Sequence, residues 1–287
     1  MKSLKLFFLV CGLVLVLTQL ASAIDKPYEG ISADELMKIK YYIKHTKFAQ
    51  DYQSTGHVWL ITKGGFKRHR KFLRSRITLN RKSDGIDYKD VVAFTEPGNV
   101  KGLAILTWTY IDPKKEQDVW LWLPSLRKIR RISQSQADDS FMGTDFTTEE
   151  ITIRRWEDET YEIIGNKKFE GYHSEFTGKT YYEGLDCYLV EAKPKRKDWY
   201  YSKRIVWIDK NTGASIYDEI YDPLERKART LFREYQEYQK GYLPQTLLEC
   251  KNVRTGHKTI ITFDEIKFDS GLKEGLFTEK TLMRSKW

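Results

Sequence analysis

Proline is scarce in this sequence, 7 of 287 residues, and glycine supplies only 18. That scarcity excludes a collagen-like repeat, a mucin-like stalk and a Pro/Gly-rich disordered chain. Long apolar runs are lacking except for one at the N-terminus, which excludes a polytopic helical membrane protein. Histidine numbers 5 and cysteine 3. None of His45, His57, His69, His173 and His257 is paired at the i, i+4 spacing of a helical metal site, and no Cys-x-x-Cys occurs. There is no Gly-x-Ser-x-Gly elbow and no phosphate-binding glycine loop. Asp138 and Asp139 with Asp145 are too sparse for a calcium loop and read as solvated carboxylates. Glu149-Glu150 invites a glycosidase reading, but nothing fixes the separation of an acid and a base. No catalytic residue, metal or cofactor is therefore expected.

What is present is basic, aromatic and patterned. Lys and Arg number 49 against 40 Asp and Glu, a formal net charge of +9, and aromatics are 14% of the chain. Tyr, Phe and Trp at 18, 14 and 8 favour strands over helices. Lys2 and Lys5, the apolar Leu6 to Leu17 stretch and Ala21-Ser22-Ala23 form the three parts of a secretory signal, with cleavage predicted after Ala23. The run falls short of the roughly 20 residues a membrane span needs. Cys11 lies inside the run rather than at its end and goes with the signal. Removing residues 1–23 takes Lys2 and Lys5 away, leaving 47 basic residues against 40 acidic and the cysteines Cys187 and Cys250. Export makes a disulfide between them feasible, and two buried free thiols are an equal reading.

Ser32-Ala33-Asp34-Glu35 is a capping box, and Leu36, Ile39 and Ile43 follow at helical spacing, which predicts a helix over 32–48. The period then becomes two. Strands are predicted over 55–62, 69–79, 90–97, 102–112 and 118–125, with Gly64-Gly65 and Asp84-Gly85 as turns. More follow over 161–164, 185–194, 204–210, 214–222, 228–238, 244–252 and 259–268. Turn signals at roughly ten-residue spacing indicate an antiparallel meander forming a barrel or a strongly curved sheet. No repeat or linker divides the chain, so residues 24–287 read as a single domain. Between the two runs of strands, 133–150 lacks alternation and carries Phe141, Met142 and Phe146 around Gly143. A loop of that length inside a domain usually has a function.

Three segments are strongly basic: Lys67 to Arg76, Arg127 to Arg131 and Lys193 to Arg204. In the first, Arg68, Arg70, Arg74 and Arg76 share one side of a strand. Export argues against nucleic acid as a partner. An anionic membrane surface is more available, and a solvated exterior with strand edges blunted by Lys and Arg is the plainer reading. In 118–125 both strand faces are apolar, Val119, Leu121 and Leu123 on one and Trp120 and Trp122 on the other. Such a strand must be covered twice.

The segment VWLWLPSLRKIRRISQSQADDSFMGTDFTTEE (119–150) resembles the outer-membrane lipoprotein-sorting proteins of the LolA-like family. There a Trp-rich strand ends in Leu-Pro, passes into an Arg-rich stretch and leads to a Phe-Met-Gly-Ser-Asp-Phe loop and an acidic pair. Trp120, Trp122, Pro124, Arg130, Arg131, Phe141, Met142, Gly143, Asp145 and Phe146 match it. Thr144 replaces the commoner Ser, Thr148 a frequent aromatic and Glu150 a frequent Asp. Cys187 with Pro194, Trp207 with Asp209, the Gly241–Pro244 turn and the ending GLFTEKTLMR agree along nearly the whole exported chain.

The resemblance implies an unclosed, strongly curved antiparallel β-barrel, mainly β with helices plugging the concave side. It implies a non-enzymatic periplasmic carrier of lipoprotein acyl chains or other lipids, without cofactor and monomeric. On that reading Trp59, Trp108, Trp120, Trp122, Phe141, Met142 and Phe146 contact lipid. Leu36, Ile39 and Ile43 of the helix, with Gly143 and Asp145 of the loop, belong to a lid. A permanent plug is as good a reading of that loop as a mobile cover. In the founding members a strand arginine bonds to the lid, and several arginines here are candidates. Partners implied are an outer-membrane acceptor or an inner-membrane exporter of the resistance-nodulation-division type. The alternative is an adaptor that scaffolds such an exporter without holding lipid, and an envelope hydrolase is the third reading.

Overall fold

The computed structural model describes residues 26–44, 49–133 and 138–284. The signal segment 1–23, and residues 45–48 of the expected helix, lie outside the described residues. Among those described, no helix is long and apolar enough to cross a membrane.

In chain order the elements are α1 (Ala33–Lys44), β1 (Asp51–Ile61), β2 (Lys67–Arg81), β3 (Ile86–Glu96), β4 (Ala104–Tyr110), β5 (Asp118–Leu123) and β6 (Lys128–Ile132). Then come β7 (Glu159–Lys168), β8 (Tyr172–His173), β9 (Thr180–Tyr181), β10 (Asp186–Pro194), β11 (Lys203–Asp209), β12 (Ser215–Tyr221), β13 (Lys227–Tyr235), β14 (Gln245–Asn252), β15 (Lys258–Phe268) and α2 (Glu279–Arg284). Thirteen strands make one sheet in the order β6-β5-β4-β3-β2-β1-β15-β14-β13-β12-β11-β10-β7. Two antiparallel meanders are thus joined where β1 pairs with β15. The two edge strands, β6 and β7, are consecutive in the chain, and residues 133–158 connect them across the gap. The sheet is not closed. β6 is short and reads KIRRI, so part of the basic 127–131 segment does protect an edge.

The sheet curls. Side chains from β1–β5 and from β13–β15 pack in one cluster around Phe141 and Phe146, which strands at such separate places in the sheet reach only if it wraps around them. Register shifts at Lys71/Phe72 and Thr78/Arg81 in β2 and at Ile86/Tyr88 in β3 sharpen the bend. At Gly56 a Cβ would lie 2.2 Å from the Thr262 carbonyl oxygen and 2.6 Å from Phe72 Cζ. Only glycine leaves room there for the Thr262 carbonyl and the Phe72 ring.

Alternation sorts the faces. Val58, Phe94, Ile105, Val119, Leu231 and Ile261 point into the concavity. Val91, Ala93, Leu106 and Trp122 point outward and are covered by Phe277 and Leu282 of the C-terminal tail. Trp59 of β1, with Phe232, Leu247 and Ile260 of the other meander, points outward under Tyr172, Phe176, Tyr181 and Tyr182 of the β8–β9 hairpin. Both faces of the sheet are therefore covered, as the doubly apolar strand 118–125 requires. Helix α1 begins where expected, its Glu35 N–H bonding to Ser32 Oγ at 3.2 Å. Its Leu36, Ile39 and Ile43 pack on Val190, Ala192, Val206 and Ile208 of β10 and β11, on the inner face. The strands β6, β8 and β9 and the helix α2 were not expected from periodicity. Each is short, and α2 is too brief to show an amphipathic repeat.

Candidate functional site

The concavity holds a hollow of about 1010 Å³ of non-atom space, its opening to solvent included. Val58, Phe72, Val92, Phe94, Ile105, Leu231, Leu248, Ile261 and Phe263 form its apolar wall, and Phe141 and Phe146 project into it. Phe146 is 1% exposed. Sequestering each phenylalanine contributes about 1.5–3 kcal/mol.

The loop that carries these rings is built on a local turn and fastened at its rim. Met142 has φ +51° and Gly143 φ +78°, the left-handed turn that brings Phe141 back toward Phe146. Phe141 N–H bonds to the Phe146 carbonyl at 2.8 Å, and Thr144 Oγ1 donates to the Phe141 carbonyl at 2.7 Å. Beyond Phe146, Thr147 and Glu150 form a reciprocal cap, with Thr147 N–H to Glu150 Oε2 at 2.9 Å and Glu150 N–H to Thr147 Oγ1 at 3.2 Å. The second oxygen of Glu150 accepts from Arg229 Nη2 at 2.9 Å.

Two strand arginines tie the loop to the barrel. Arg70 of β2 donates to the Met142 carbonyl at 2.6 Å. Arg229 of β13 donates to the Asp145 carbonyl at 2.8 Å and to Glu150 at 2.7 Å. Asp145 is anchored as well. Its N–H bonds to Thr259 Oγ1 at 2.9 Å, and its carboxylate lies 2.7 Å from that hydroxyl and 2.6 Å from His257 Nδ1. The ties are polar and sit at the rim, whereas the filler is apolar and sits inside.

The far end of the same concavity is charged. Arg74 and Arg76 of β2 converge on Asp90 at 2.9 and 2.7 Å. Burial pushes Asp90 up, but the two guanidiniums outweigh it and hold the carboxyl below its usual range. Arg204 of β11 bridges Glu159 at 2.5 Å and Asp218 at 2.7 Å, and Arg233 meets Asp218 at 2.7 Å. Burial raises Glu159, yet Arg204 and Arg154 bring it down to about 2. The expectation that Lys67 to Arg76 and Lys193 to Arg204 form a solvated exterior is thus corrected for Arg74, Arg76 and Arg204, which are turned inward and paired.

Phe141, Met142 and Phe146 pack together at the hollow, and Gly143 and Asp145 shape and anchor the loop that carries them. The four tryptophans are elsewhere, which corrects the expectation that they line the hollow. Trp108, Trp120 and Trp122 pack on the outer face against the C-terminal tail, where Trp108 Nε1 donates to the Phe277 carbonyl at 3.0 Å. Trp59 stacks outside on His57 and His69. The inward partners in the Trp-rich strand are Val119 and Leu121, because the two-residue period sends the neighbouring tryptophans the other way. Leu36, Ile39 and Ile43 cover β10 and β11, away from the phenylalanine plug. Sequence reasoning missed Arg70 and Arg229 as the loop's anchors. It also missed Lys40 and Lys44, which recur on the apolar face of α1 at i, i+4 and are the signal that was available.

Cys187 and Cys250 are free, both buried, one in an outer cluster and one in the inner. The open question of a disulfide is settled in favour of two thiols, and burial pushes Cys187 up to about 12. Among the described residues no group of three His, Cys, Asp or Glu side chains is placed to hold a metal.

The same fold occurs in solved structures. A domain from Vibrio parahaemolyticus ascribed to outer membrane lipoprotein sorting matches with a TM-score of 0.74 at 24% identity, over 88% of this chain and 98% of that one. A DUF1329 family protein from Desulfovibrio piger matches at 0.71 and 25% identity, over 85% and 98%. A LolA superfamily protein from Nitrosomonas europaea matches at 0.62 and 15% identity, over 88% and 99%. These define the class: the fold is that of the LolA-like, outer-membrane lipoprotein-sorting proteins. A family model described as an uncharacterized protein-like family matches residues 87–284, and the chain belongs to that family. No curated protein matches the sequence.

Proposed function

We propose that this protein is a periplasmic carrier that shelters an acyl chain, of a lipoprotein or another lipid, in the hollow behind the 138–147 loop. The observation that supports this reading is that the apolar wall is filled by a loop, not by the sheet itself. Phe141 and Phe146 occupy the place a hydrocarbon tail takes, and hydrogen bonds at the rim hold them there. An acyl chain gains about 0.8 kcal/mol per CH₂ leaving water. A few methylenes therefore offset the exposure of one ring. Exchange of filler for cargo is then nearly balanced, as a carrier that must release its load requires. No catalytic role is assigned to any residue. An inner-membrane exporter and an outer-membrane acceptor are the route's natural ends.

Protein purified from an exporting cell should carry lipid detectable by native mass spectrometry, and the delipidated protein should take up a fluorescent acyl probe. Lipid-free protein on repeated purification, with no probe uptake by either the wild type or an enlarged-hollow variant such as Phe146→Ala, would sink the proposal. The fold would then be better read as a scaffold.

A further inference from the structure

A second space, about 380 Å³ of non-atom volume including its opening, lies against α1. It shares Lys44, Glu150 and Arg233 with the apolar hollow, so the two adjoin. Its lining is different in kind. Five cationic side chains face two carboxylates: Lys40, Lys44, Arg154, Arg155 and Arg233 against Glu150 and Glu159.

Most of that charge is already matched. Behind the three arginines stand three acids, Glu149 at 2.9 Å from Arg154, Glu157 at 3.5 Å from Arg155 and Asp218 at 2.7 Å from Arg233. Behind the two carboxylates stand two arginines, Arg229 at 2.7 Å from Glu150 and Arg204 at 2.5 Å from Glu159. Those five pairs cancel. Lys40 and Lys44 remain, one turn apart on α1. Lys44 donates to the backbone carbonyl of Glu150, which compensates no charge. Lys40 is only 7% exposed and, among the described residues, makes no hydrogen bond or ion pair. A buried ammonium without a counter-ion is costly, and a Met or Leu in its place would complete the apolar stripe of α1.

We infer that this chamber seats a compact anion, a carboxylate or a phosphate, borne at the head of the same amphiphile whose tail enters the apolar hollow. The tail rests on the carrier reading above; the chamber stands on its own unmatched charge. Burial, and after it Arg204, pushes the Lys40 amine down to about 7, the response of a cation short of a counter-charge. The geometry selects among lipids. A fatty acid or an acidic phospholipid supplies the missing charge, and an uncharged acylated amino terminus does not.

The test uses displacement of a fluorescent acyl probe from the purified full-length protein by hexadecanoate, by hexadecanol and by inorganic phosphate. Hexadecanoate is expected to bind roughly tenfold or more tighter than hexadecanol, the worth of one charge-assisted contact. Lys40→Met and Lys44→Met are each expected to lose most of that preference. Lys40→Met should also raise the thermal unfolding midpoint, which shows that the variant folds. Equal binding of the two amphiphiles overturns the anionic head and leaves the carrier reading standing. Uptake of neither amphiphile, with inorganic phosphate bound in a calorimetric titration and that binding lost in Lys40→Met, overturns the lipid head in favour of a free anion and removes the carrier reading too.

Discussion

Around Phe141 and Phe146 the inner face of β1–β5 and β13–β15 packs hydrocarbon, while at the far end, on β2 and β3 and on β7 and β11–β13, the same face packs charge against charge. Hydrocarbon contact is non-directional, so one apolar occupant can replace another at little cost. A buried ion pair is the reverse: it contributes little net stability when intact but demands every partner, because a survivor left alone is severely penalised. One wall therefore accepts exchange, and the other holds the strands in place while exchange occurs. Lys40 and Lys44 sit where the two walls meet.

Four measurements break or sharpen that contrast. The largest effect is expected from Arg204→Met, which strands Glu159 and Asp218 in the interior. Chemical denaturation should show a loss of about 3–5 kcal/mol, and a loss below about 1 kcal/mol would mean that the charged wall is not the rigid one. Acid acts on the same groups. Glu159 is held at about 2, below its unfolded value of 4.5, and Asp218 is lowered by Arg233 and Arg204 against the push of burial. A depressed carboxyl contributes stability that is present above its unfolded pKa and lost as pH falls through the folded one. Stability should therefore decline between pH 4.5 and about 2, by on the order of 3 kcal/mol for Glu159 alone. A flat titration over that window contradicts the pairing. A smaller effect is expected from Phe146→Ala. A buried Phe→Ala change ordinarily costs about 3–5 kcal/mol, but here the hollow opens to solvent and its filler is a loop, so roughly 1–3 kcal/mol is expected. The acyl probe should bind this variant more tightly and recover its stability. Trp120→Leu, on the outer face, should leave probe uptake unchanged. Weaker uptake by Phe146→Ala, or loss of uptake in Trp120→Leu, would redraw the site.

Much of the fold is legible in the sequence. The two-residue period locates every long strand within a few residues, and Ser32 with Glu35 places the start of α1. What periodicity cannot give is which side of a strand faces in. Strand 118–123 is apolar on both sides, and the bulkier tryptophans suggested the cavity. The structure gives them to the C-terminal tail, a segment that shows no amphipathic repeat of its own. The Arg74–Arg76–Asp90 cluster was hidden for a related reason. Strand arginines read as surface until their partner, on the neighbouring strand, is known. The Phe-Met-Gly-Thr-Asp-Phe loop was legible because its chemistry is local: a left-handed turn, two rings and a carboxylate within six residues.

The open seam of the sheet lies between β6 and β7, and the stretch of chain that crosses it is the one that bears the phenylalanine plug. Prising these borders apart pulls on the stopper's own tether. Widening the vessel and drawing its cork are, by connectivity alone, the same mechanical act.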